Sequence, residues 1–231
     1  MLRYLEGIGV PGVFVSGTTG EFTALDDDER AAVLSAALTV FGADAVYAHV
    51  GAAAARQAER LTAQAVALGA RRLAAITPFY LPADPAALMD YYRRLAAVAG
   101  DARIYVYLFA ARTGVSVTPG QLADLATIPA VAGAKISGEL RAVVLQYVDA
   151  VPDDFEVYSG NDVEFGDFVR AGTGDLRGPG PGRAGRARHR RGQHRAAEGR
   201  AVAAGPAGRP HQGGARPANG RATALPTHRS Q

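Results

Sequence analysis

Short apolar runs recur along the first 160 residues with the spacing of a repeating structural unit. Their centres lie about 25 to 35 residues apart, which is the length of a strand followed by a helix. The runs are GVFVSG (12–17), AVYAHVG (45–51), RLAAITP (72–78), IYVYL (104–108), VAGAKIS (131–137) and FEVYSG (155–160). Each is rich in residues that favour strands and is apolar on both faces, as buried strands of parallel sheets are. The pattern therefore predicts six buried parallel strands.

Amphipathic stretches with helix boundary signals lie between these runs. Asp26 and Glu29 have the spacing of a capping box, and Thr118 with Gln121 repeats it. Further helices are predicted over the stretch that ends at Gly69, over DPAALMDYYRRLAAVAG (84–100), over ELRAVVLQYVDAV (139–151) and over NDVEFGDFVRAG (161–172). Helices therefore alternate with the predicted strands along the chain.

This alternation favours an α/β protein of the (β/α)8 TIM barrel class, a fold of about 250 residues. Only six strands can be counted, so we expect the barrel to be incomplete. A doubly wound parallel sheet is the structural alternative. A doubly wound sheet that binds nucleotides is disfavoured, because no GxGxxG follows the first strand and no GxxxxGK[ST] occurs.

The net charge of +3 hides two regions of opposite charge. Residues 1–176 contain 13 basic and 21 acidic groups, whereas residues 177–231 contain 12 arginines and a single acidic residue. The second region has no aromatic residue and almost no large aliphatic one. Such a segment buries too little apolar surface to offset the entropy of ordering it. We predict a folded domain over residues 1–174 and a disordered or frame-shifted basic tail over residues 175–231.

Residue types that are absent narrow the chemistry further. The chain contains no cysteine, which excludes disulfides and a thiol nucleophile and is typical of the reducing cytoplasm. No apolar run reaches the roughly 18 residues of a membrane span, and the N-terminal MLRYLEGIGVPG lacks the apolar core of a signal peptide. No spacing of potential ligands indicates a metal site. We expect a cytoplasmic protein without a metal.

Lys135 is the only lysine of the chain, and it lies inside an apolar run. Arginine replaces lysine freely on solvated surfaces, but it cannot replace an amine that must lose its proton and attack a carbonyl. A desolvated lysine spends more time as the neutral nucleophile. Lys135 is therefore a candidate Schiff-base lysine.

Other polar residues follow the predicted strands at the ends where TIM barrels place their chemistry. They are Thr18 and Thr19 after the first run, Thr77 and Tyr80 after the third, Tyr107, Arg112 and Thr113 around the end of the fourth, and Gly160 and Asn161 at the sixth. Strand alternation puts Lys135 on the same face as Gly133, which leaves room beneath the lysine stem. A phenol at Tyr107 could shuttle the protons of imine formation.

Each of these residues also has a structural alternative. A buried tyrosine often only satisfies a hydrogen bond, and Thr18 and Thr19 could serve as turn residues. Arg112 taken alone is typical of a surface arginine. We interpret His49 as structural, since it has no partner at ligand spacing.

Taken together, the motifs resemble those of one enzyme family. GTTGE (17–21), TPFY (77–80), Tyr107 followed by RTG (112–114), GAKIS (133–137) and YSGND (158–162) have the order and spacing of the dihydrodipicolinate synthase/N-acetylneuraminate lyase family. The resemblance covers residues 1–174. It implies a TIM-barrel class I lyase or aldolase, homotetrameric in most members, which joins pyruvate or another 2-oxo acid to an aldehyde through a lysine imine and without a cofactor.

The resemblance also implies roles in imine chemistry for individual residues. Lys135 resembles the lysine that condenses with the 2-oxo acid, and Tyr107 resembles the tyrosine that relays protons during that reaction. Thr18 and Thr19 resemble the pair that binds the 2-oxo acid carboxylate, and Thr18 is taken as the member that also joins the proton relay.

Three further positions are implied by the resemblance. Tyr80 resembles the tyrosine that completes the proton relay in the neighbouring subunit. Arg112 resembles the arginine that binds the carboxylate of the second substrate in the synthase branch. Gly160 is expected to line the substrate site.

The chain departs from the family pattern within two motifs. It reads YLFA (107–110) where the family commonly has Y-N-x-P, and KISG (135–138) where the synthases have an acidic continuation. The first difference concerns the pocket of the second substrate. The best single expectation is 4-hydroxy-tetrahydrodipicolinate synthase activity, and a 2-keto-3-deoxy sugar acid aldolase or a neuraminate-type lyase are the alternatives.

Both ends of the chain also depart from the family. Relatives begin with a strand before the equivalent of LRYLEGIGV, and they continue with an eighth strand after RAGTG (170–174). We expect barrel strands 1 and 8 to be missing, the tail to be a reading-frame accident and the chain as written to be an inactive fragment. The competing hypothesis is nucleic-acid binding by the arginine-rich tail. The lack of interleaved aromatic residues, RGG repeats and lysines disfavours it.

Overall fold

The computed structural model describes residues 1–160 of the chain. Its strands are β1 (Val13–Val15), β2 (Val46–His49), β3 (Arg72–Ile76), β4 (Arg103–Leu108), β5 (Val131–Ile136) and β6 (Glu156–Ser159). Its α-helices are α1 (Leu2–Gly7), α2 (Asp27–Phe41), α3 (Ala55–Ala67), α4 (Pro85–Val98), α5 (Ala110–Thr113), α6 (Pro119–Leu125) and α7 (Arg141–Ala150), with a 3₁₀ turn at Phe22–Ala24. The six predicted strands are confirmed. The helix predicted over 161–172 and the tail over 175–231 lie outside the described residues.

The six strands form one parallel sheet in the order β1-β2-β3-β4-β5-β6. Each strand pairs with the next one along the chain. A doubly wound sheet would instead reverse its strand order at a switch point. Within the described residues the sheet has no such reversal, so the barrel class is confirmed as a half-barrel and the doubly wound alternative is wrong.

The sheet is strongly curved. The phenol oxygens of Tyr47 in β2 and Tyr158 in β6 lie 3.0 Å apart, although these strands are four positions apart in the sheet. Lys135 in β5 likewise places its Nζ 4.2 Å from the ring centre of Phe14 in β1. In a flat sheet these strands would be roughly 19 Å apart. The concave face therefore encloses these side chains, as the interior of a barrel does.

Two of the predicted helix starts are confirmed in detail. The Asp26 side chain accepts from the Glu29 N–H at 2.8 Å, and the Glu29 carboxylate accepts from the Asp26 N–H at 3.0 Å. Thr118 and Gln121 make the same reciprocal pair at 3.2 and 2.7 Å. These bonds satisfy backbone donors that have no partner in the first turn of a helix.

The apolar core lies between the convex face of the sheet and the helices. In β4, Ile104 and Val106 belong to this core, whereas Tyr105 and Tyr107 point to the concave face. In β5, Ala134 belongs to the core and Lys135 to the concave face. The alternation of strand side chains thus sends one set to the core and the other to the barrel interior. No helix within residues 1–160 is long and apolar enough to cross a membrane.

Candidate functional site

Lys135 lies near the carboxyl end of β5, on the concave face. Its neighbours in the sheet are Tyr107 of β4 and Tyr158 of β6. The side chain is 8% exposed, and its Nζ lies 4.2 Å from the ring centre of Phe14 and 4.5 Å from that of Tyr107. The amine is thus held against two aromatic rings at the end of the barrel where TIM-barrel enzymes react.

Tyr107 connects the lysine to the loop that follows β1. Its Oη lies 3.1 Å from Thr18 Oγ1, within hydrogen-bond distance, and either atom can donate. Tyr107 is 1% exposed, whereas Thr18 is half-buried and Thr19 is exposed. The structure therefore brings Lys135, Tyr107 and Thr18 together from three different strand ends.

Two glycines allow close packing around β5 and β6, and one of them lies beside the lysine. A Cβ on Gly160 would lie 2.0 Å from Ser137 Oγ and 3.3 Å from Lys135 Cε. A Cβ on Gly133 would lie 2.7 Å from the Tyr105 ring. The space at Gly133 that was expected to accommodate the lysine stem is therefore occupied by the Tyr105 ring, because that ring packs across β5 on the concave face.

Two buried hydroxyls near this end of the barrel are unpaired. Thr77 Oγ1 and Ser16 Oγ have no hydrogen-bond partner within residues 1–160, although Thr77 is 0% and Ser16 6% exposed. A buried polar group without a partner costs roughly 1–3 kcal/mol. Ser16 also has a φ of 53°, a strained value for a residue with a side chain. Such features concentrate at functional sites.

Arg112 and Tyr80 lie on the surface of the described part of the chain. Arg112 is exposed on α5, with its guanidinium carbon 5.8 Å from the ring centre of Phe109. Tyr80 is 92% exposed and has a φ of 76°. The structure therefore does not pack Tyr80 into the Lys135 site of its own chain. The implied role of Tyr80 in a neighbouring subunit stays a prediction.

A second polar cluster, at the amino end of the concave face, was missed by the sequence reasoning. The Glu156 carboxylate accepts from Tyr105 Oη at 3.1 Å and from Tyr158 Oη at 2.6 Å. Arg103 Nη1 lies 2.9 Å from the same carboxylate and Arg72 Nη1 lies 3.8 Å from it. A glutamate inside an apolar strand run was the available signal. We call these five residues the amino-end cluster.

Burial raises the pKa of both phenols in this cluster. Desolvation is the largest cause for each of them. For Tyr158 the hydrogen bond to Glu156 adds to the effect, and for Tyr105 the charge of Glu156 acts in the same direction. Both phenols therefore stay protonated and donate to the carboxylate.

His49 connects β2 to β3, and Arg30 of α2 binds the backbone around it. Its Nε2 accepts from the Ile76 N–H at 3.2 Å, and Arg30 Nη2 donates to the His49 carbonyl at 2.8 Å and to the Gly51 carbonyl at 3.2 Å. Burial, followed by the charges of Arg30 and Lys135, holds the pKa of His49 well below its usual value. Burial also lowers the pKa of Arg30 to about 10. These contacts agree with the structural interpretation of His49.

The acidic and histidine side chains of residues 1–160 form no group of three that could hold a metal ion. The expectation that the reaction uses no metal or cofactor stays a prediction. What the arrangement offers chemically is one buried amine beside a phenol, with a threonine hydroxyl in contact with that phenol.

Relatives of known sequence match part of this chain. An uncharacterized DapA-like lyase of Halobacterium salinarum is 40% identical over 152 residues, which cover 65% of this chain and 50% of that protein. The N-acetylneuraminate lyase of Salmonella paratyphi B is 31% identical over 175 residues, which cover 75% of this chain and 58% of that enzyme. The chain thus spans about half the length of the curated relatives it matches.

Solved structures give the same result. The dihydrodipicolinate synthase of Thermotoga maritima superposes with a TM-score of 0.69 at 30% identity, covering 75% of this chain and 60% of that one. YagE, an Escherichia coli prophage protein of the dihydrodipicolinic acid synthase family in complex with pyruvate, gives 0.67 at 27% identity, with coverages of 75% and 59%. The model of the dihydrodipicolinate synthetase family matches residues 1–176. The chain therefore belongs to the dihydrodipicolinate synthetase family.

Proposed function

We propose that this chain carries the residues that form the imine in a pyruvate-dependent lyase or aldolase. The single observation that carries the proposal is the position of Lys135 Nζ, buried at the carboxyl end of β5 and 4.5 Å from the Tyr107 ring centre. Family membership supports it, as does the pyruvate bound to the related YagE structure. No cofactor is required in this proposal, because the lysine itself binds the substrate covalently.

The proposed reaction begins when the neutral amine of Lys135 attacks the ketone carbon of a 2-oxo acid. A carbinolamine forms, and it loses water to give a protonated Schiff base. The phenol of Tyr107 donates and accepts the protons of these steps, and Thr18 exchanges protons with it across their 3.1 Å contact. The iminium then withdraws electrons, so the methyl carbon of pyruvate can lose a proton and attack the aldehyde.

The 2-oxo acid carboxylate is proposed to bind beside the loop after β1. Thr18 and Thr19 supply hydroxyls there, and the backbone at Gly160 passes close to the stem of Lys135. The hydroxyl of the buried Thr77 has no hydrogen-bond partner within residues 1–160, and we propose it as a further donor at this end of the barrel. Buried hydroxyls without a protein partner gain most from a polar ligand.

Among the branches of the family, 4-hydroxy-tetrahydrodipicolinate synthase activity remains our first choice. It rests on Arg112, whose exposed guanidinium on α5 is proposed to bind a carboxylate of an acidic aldehyde such as aspartate semialdehyde. The likeness to N-acetylneuraminate lyase favours the alternative of a sugar-acid aldolase or neuraminate-type lyase.

Substitution of Arg112 separates these branches. With Arg112→Ala, the synthase branch predicts a raised KM for the acidic aldehyde, with pyruvate binding unchanged. An equal loss with acidic and neutral aldehydes would instead assign Arg112 a structural role.

A homo-oligomer is part of the proposal, because Tyr80 is 92% exposed in the single chain. The adjacent Leu81 is 70% exposed, and adjoining exposed apolar side chains mark a surface that another chain can cover. Sedimentation of the wild-type chain and of Tyr80→Ser measures this directly. The proposal expects a smaller assembly for the variant.

The Schiff base itself is tested with pyruvate and borohydride. Reduction is expected to leave a stable adduct on the peptide that contains Lys135, and the same treatment without pyruvate is expected to leave that peptide unmodified. Lys135→Arg keeps a positive charge but cannot form the imine, so it should give no adduct and no turnover. A folded wild-type chain that stays unmodified would contradict the proposed function and would support the inactive-fragment alternative.

A further inference from the structure

The ring of Phe14, a residue that no motif singled out, lies over the amine of Lys135. Phe14 lies in β1, four strands away from Lys135 in the sheet, and only the curvature of the barrel brings its ring to 4.2 Å from Nζ. The centre of the Tyr107 ring also lies close to Nζ, at 4.5 Å. The two rings contact each other edge to face, with their centres 5.5 Å apart.

Aromatic rings attract cations at their faces, because the π electrons carry a partial negative charge there. The attraction is stronger where water is excluded, and Lys135 is 8% exposed. The neutral amine gains much less from such a ring. The position of Phe14 therefore distinguishes between the charged and uncharged states of the same nitrogen.

We propose that Phe14 is a positioning residue whose ring face holds the cationic forms of Lys135, namely the ammonium and the protonated Schiff base. The catalytic consequence rests on the proposed function, which supplies the Schiff base. The contact with the ammonium does not depend on it. Phe14 would thus direct where the positive charge of the reaction is stabilised.

The charge balance of imine formation shows where this matters. The ammonium and the ketone give the iminium and one water molecule, and the water takes the ketone oxygen and two protons of the nitrogen. Nζ is positively charged in the ammonium, neutral in the free amine and in the carbinolamine, and positively charged again in the iminium. The Phe14 ring therefore disfavours deprotonation of the ammonium and slows hydrolysis of the iminium.

The test replaces Phe14 with phenylalanines that carry one, two or three fluorine atoms. Fluorine weakens the negative ring face stepwise while the size of the ring changes little. The first measurement is the rate at which an acylating reagent modifies Lys135 at constant pH, read on the peptide that contains it. Acylation needs the neutral amine, so we expect the rate to rise with each fluorine, by about three- to tenfold in total. A flat series would overturn the proposal, whatever pyruvate does.

The second measurement follows the Schiff base. The wild type and each fluorinated protein are loaded with labelled pyruvate and chased with unlabelled pyruvate, and the remaining adduct is trapped with borohydride. We expect the label to leave faster with each fluorine, and a constant rate of loss would overturn the role at the iminium. If no protein in the series forms a borohydride-stable adduct with pyruvate, the proposed function is wrong. The acylation rates then still test the contact between Phe14 and the ammonium.

Phe79 provides the matched control. It packs in the same aromatic cluster, with its ring centre 5.8 Å from that of Phe22, and Lys135 makes its described ring contacts with Phe14 and Tyr107 instead. The same fluorinated residues at position 79 should leave the acylation rate of Lys135 unchanged. An equal rise at both positions would attribute the effect to altered packing and would overturn the proposal.

Discussion

At the amino end of the concave face, one carboxylate gathers the polar groups around it. Glu156 accepts hydrogen bonds from two phenols and has an arginine nitrogen 2.9 Å from its other oxygen. At the carboxyl end, the hydroxyls of Thr77 and Ser16 have no partner within residues 1–160, and the Lys135 amine lies against two rings. Within residues 1–160, the first set is linked by hydrogen bonds and ion pairs among its own members, although Glu156 Oε1 accepts no hydrogen bond there, whereas the Thr77 and Ser16 hydroxyls make neither kind of contact.

The difference shows how one curved sheet can hold a self-paired polar cluster at one end and a candidate reaction site at the other. Polar groups that hydrogen-bond to each other stabilise the fold. Buried polar groups without a partner destabilise it, and a ligand that pairs with them binds more tightly for that reason. TIM barrels place stabilising residues at the amino ends of their strands and chemistry at the carboxyl ends. Removing one group from each end therefore tests that division.

The largest expected effect is on the chemistry at the carboxyl end. Tyr107→Phe removes the phenol oxygen but keeps the ring over Lys135. Under the proposed function, the rate of Schiff-base formation should fall by roughly 10²- to 10⁴-fold, because no group of similar acidity replaces the phenol. Borohydride trapping over time measures this rate. Tyr92→Phe, which removes a buried phenol that donates to the Ala75 carbonyl, should leave the rate unchanged.

The next effect is on stability at the amino end. Glu156→Gln keeps the shape of the side chain but removes the charge that both phenols and both arginines contact. Hydrogen bonds to charged groups contribute about 1.5–3 kcal/mol, so we expect the free energy of unfolding to fall by about 2–3 kcal/mol in urea titrations. Glu59→Gln weakens a partly exposed ion pair between Glu59 of α3 and Arg94 of α4, and it should change the free energy of unfolding little. If both substitutions lowered the free energy of unfolding equally, the amino-end cluster would contribute no more to stability than a surface ion pair.

The third effect depends on pH. The pKa of His49 is held well below its usual value in the folded chain, so the unfolded chain binds a proton that the folded chain does not. His49 therefore stabilises the fold above about pH 6.5, and this contribution falls by about 1.4 kcal/mol for each pH unit below that value. Urea unfolding at pH 7.5 and 5 should show a drop of about 2 kcal/mol in the wild type relative to His49→Gln. Parallel pH profiles of the two proteins would show that His49 is solvated.

The smallest effects should have opposite signs at the two ends. Tyr105→Phe removes a donor to Glu156 and should lower the free energy of unfolding by about 1 kcal/mol. Thr77→Val removes an unpaired hydroxyl at constant shape and should leave it unchanged or raise it by up to about 1 kcal/mol. Thermal unfolding of both variants measures the contrast. A loss of stability in Thr77→Val would mean that its hydroxyl has a partner in the folded chain.

The strand order could be predicted from the sequence because it rests on local signals. Each strand is a short apolar run, and helix starts such as Asp26 with Glu29 are visible as residue pairs three positions apart. Steady alternation of such elements leaves few topologies. The parallel strand order then follows without knowledge of any side-chain contact.

The functional site could be predicted only in part. Lys135 was visible because it is the only lysine and lies in an apolar strand, and Tyr107 and Thr18 were visible because they lie at strand ends. Phe14 and Glu156 were missed, because an aromatic residue or a single acid in an apolar run has no distinguishing spacing. Their partners lie in strands that are distant along the chain.

The sequence by itself determined the element order and two helix caps, and it singled out Lys135 as the candidate Schiff-base lysine, since each depends on neighbours within a few positions or on composition. The tertiary structure decided what surrounds that lysine. Curvature of the sheet brings Phe14 of β1 onto Lys135 of β5 and Tyr47 of β2 onto Tyr158 of β6. Such contacts depend on how strongly the strands coil around the barrel axis, and that coiling is a collective property of all the paired strands.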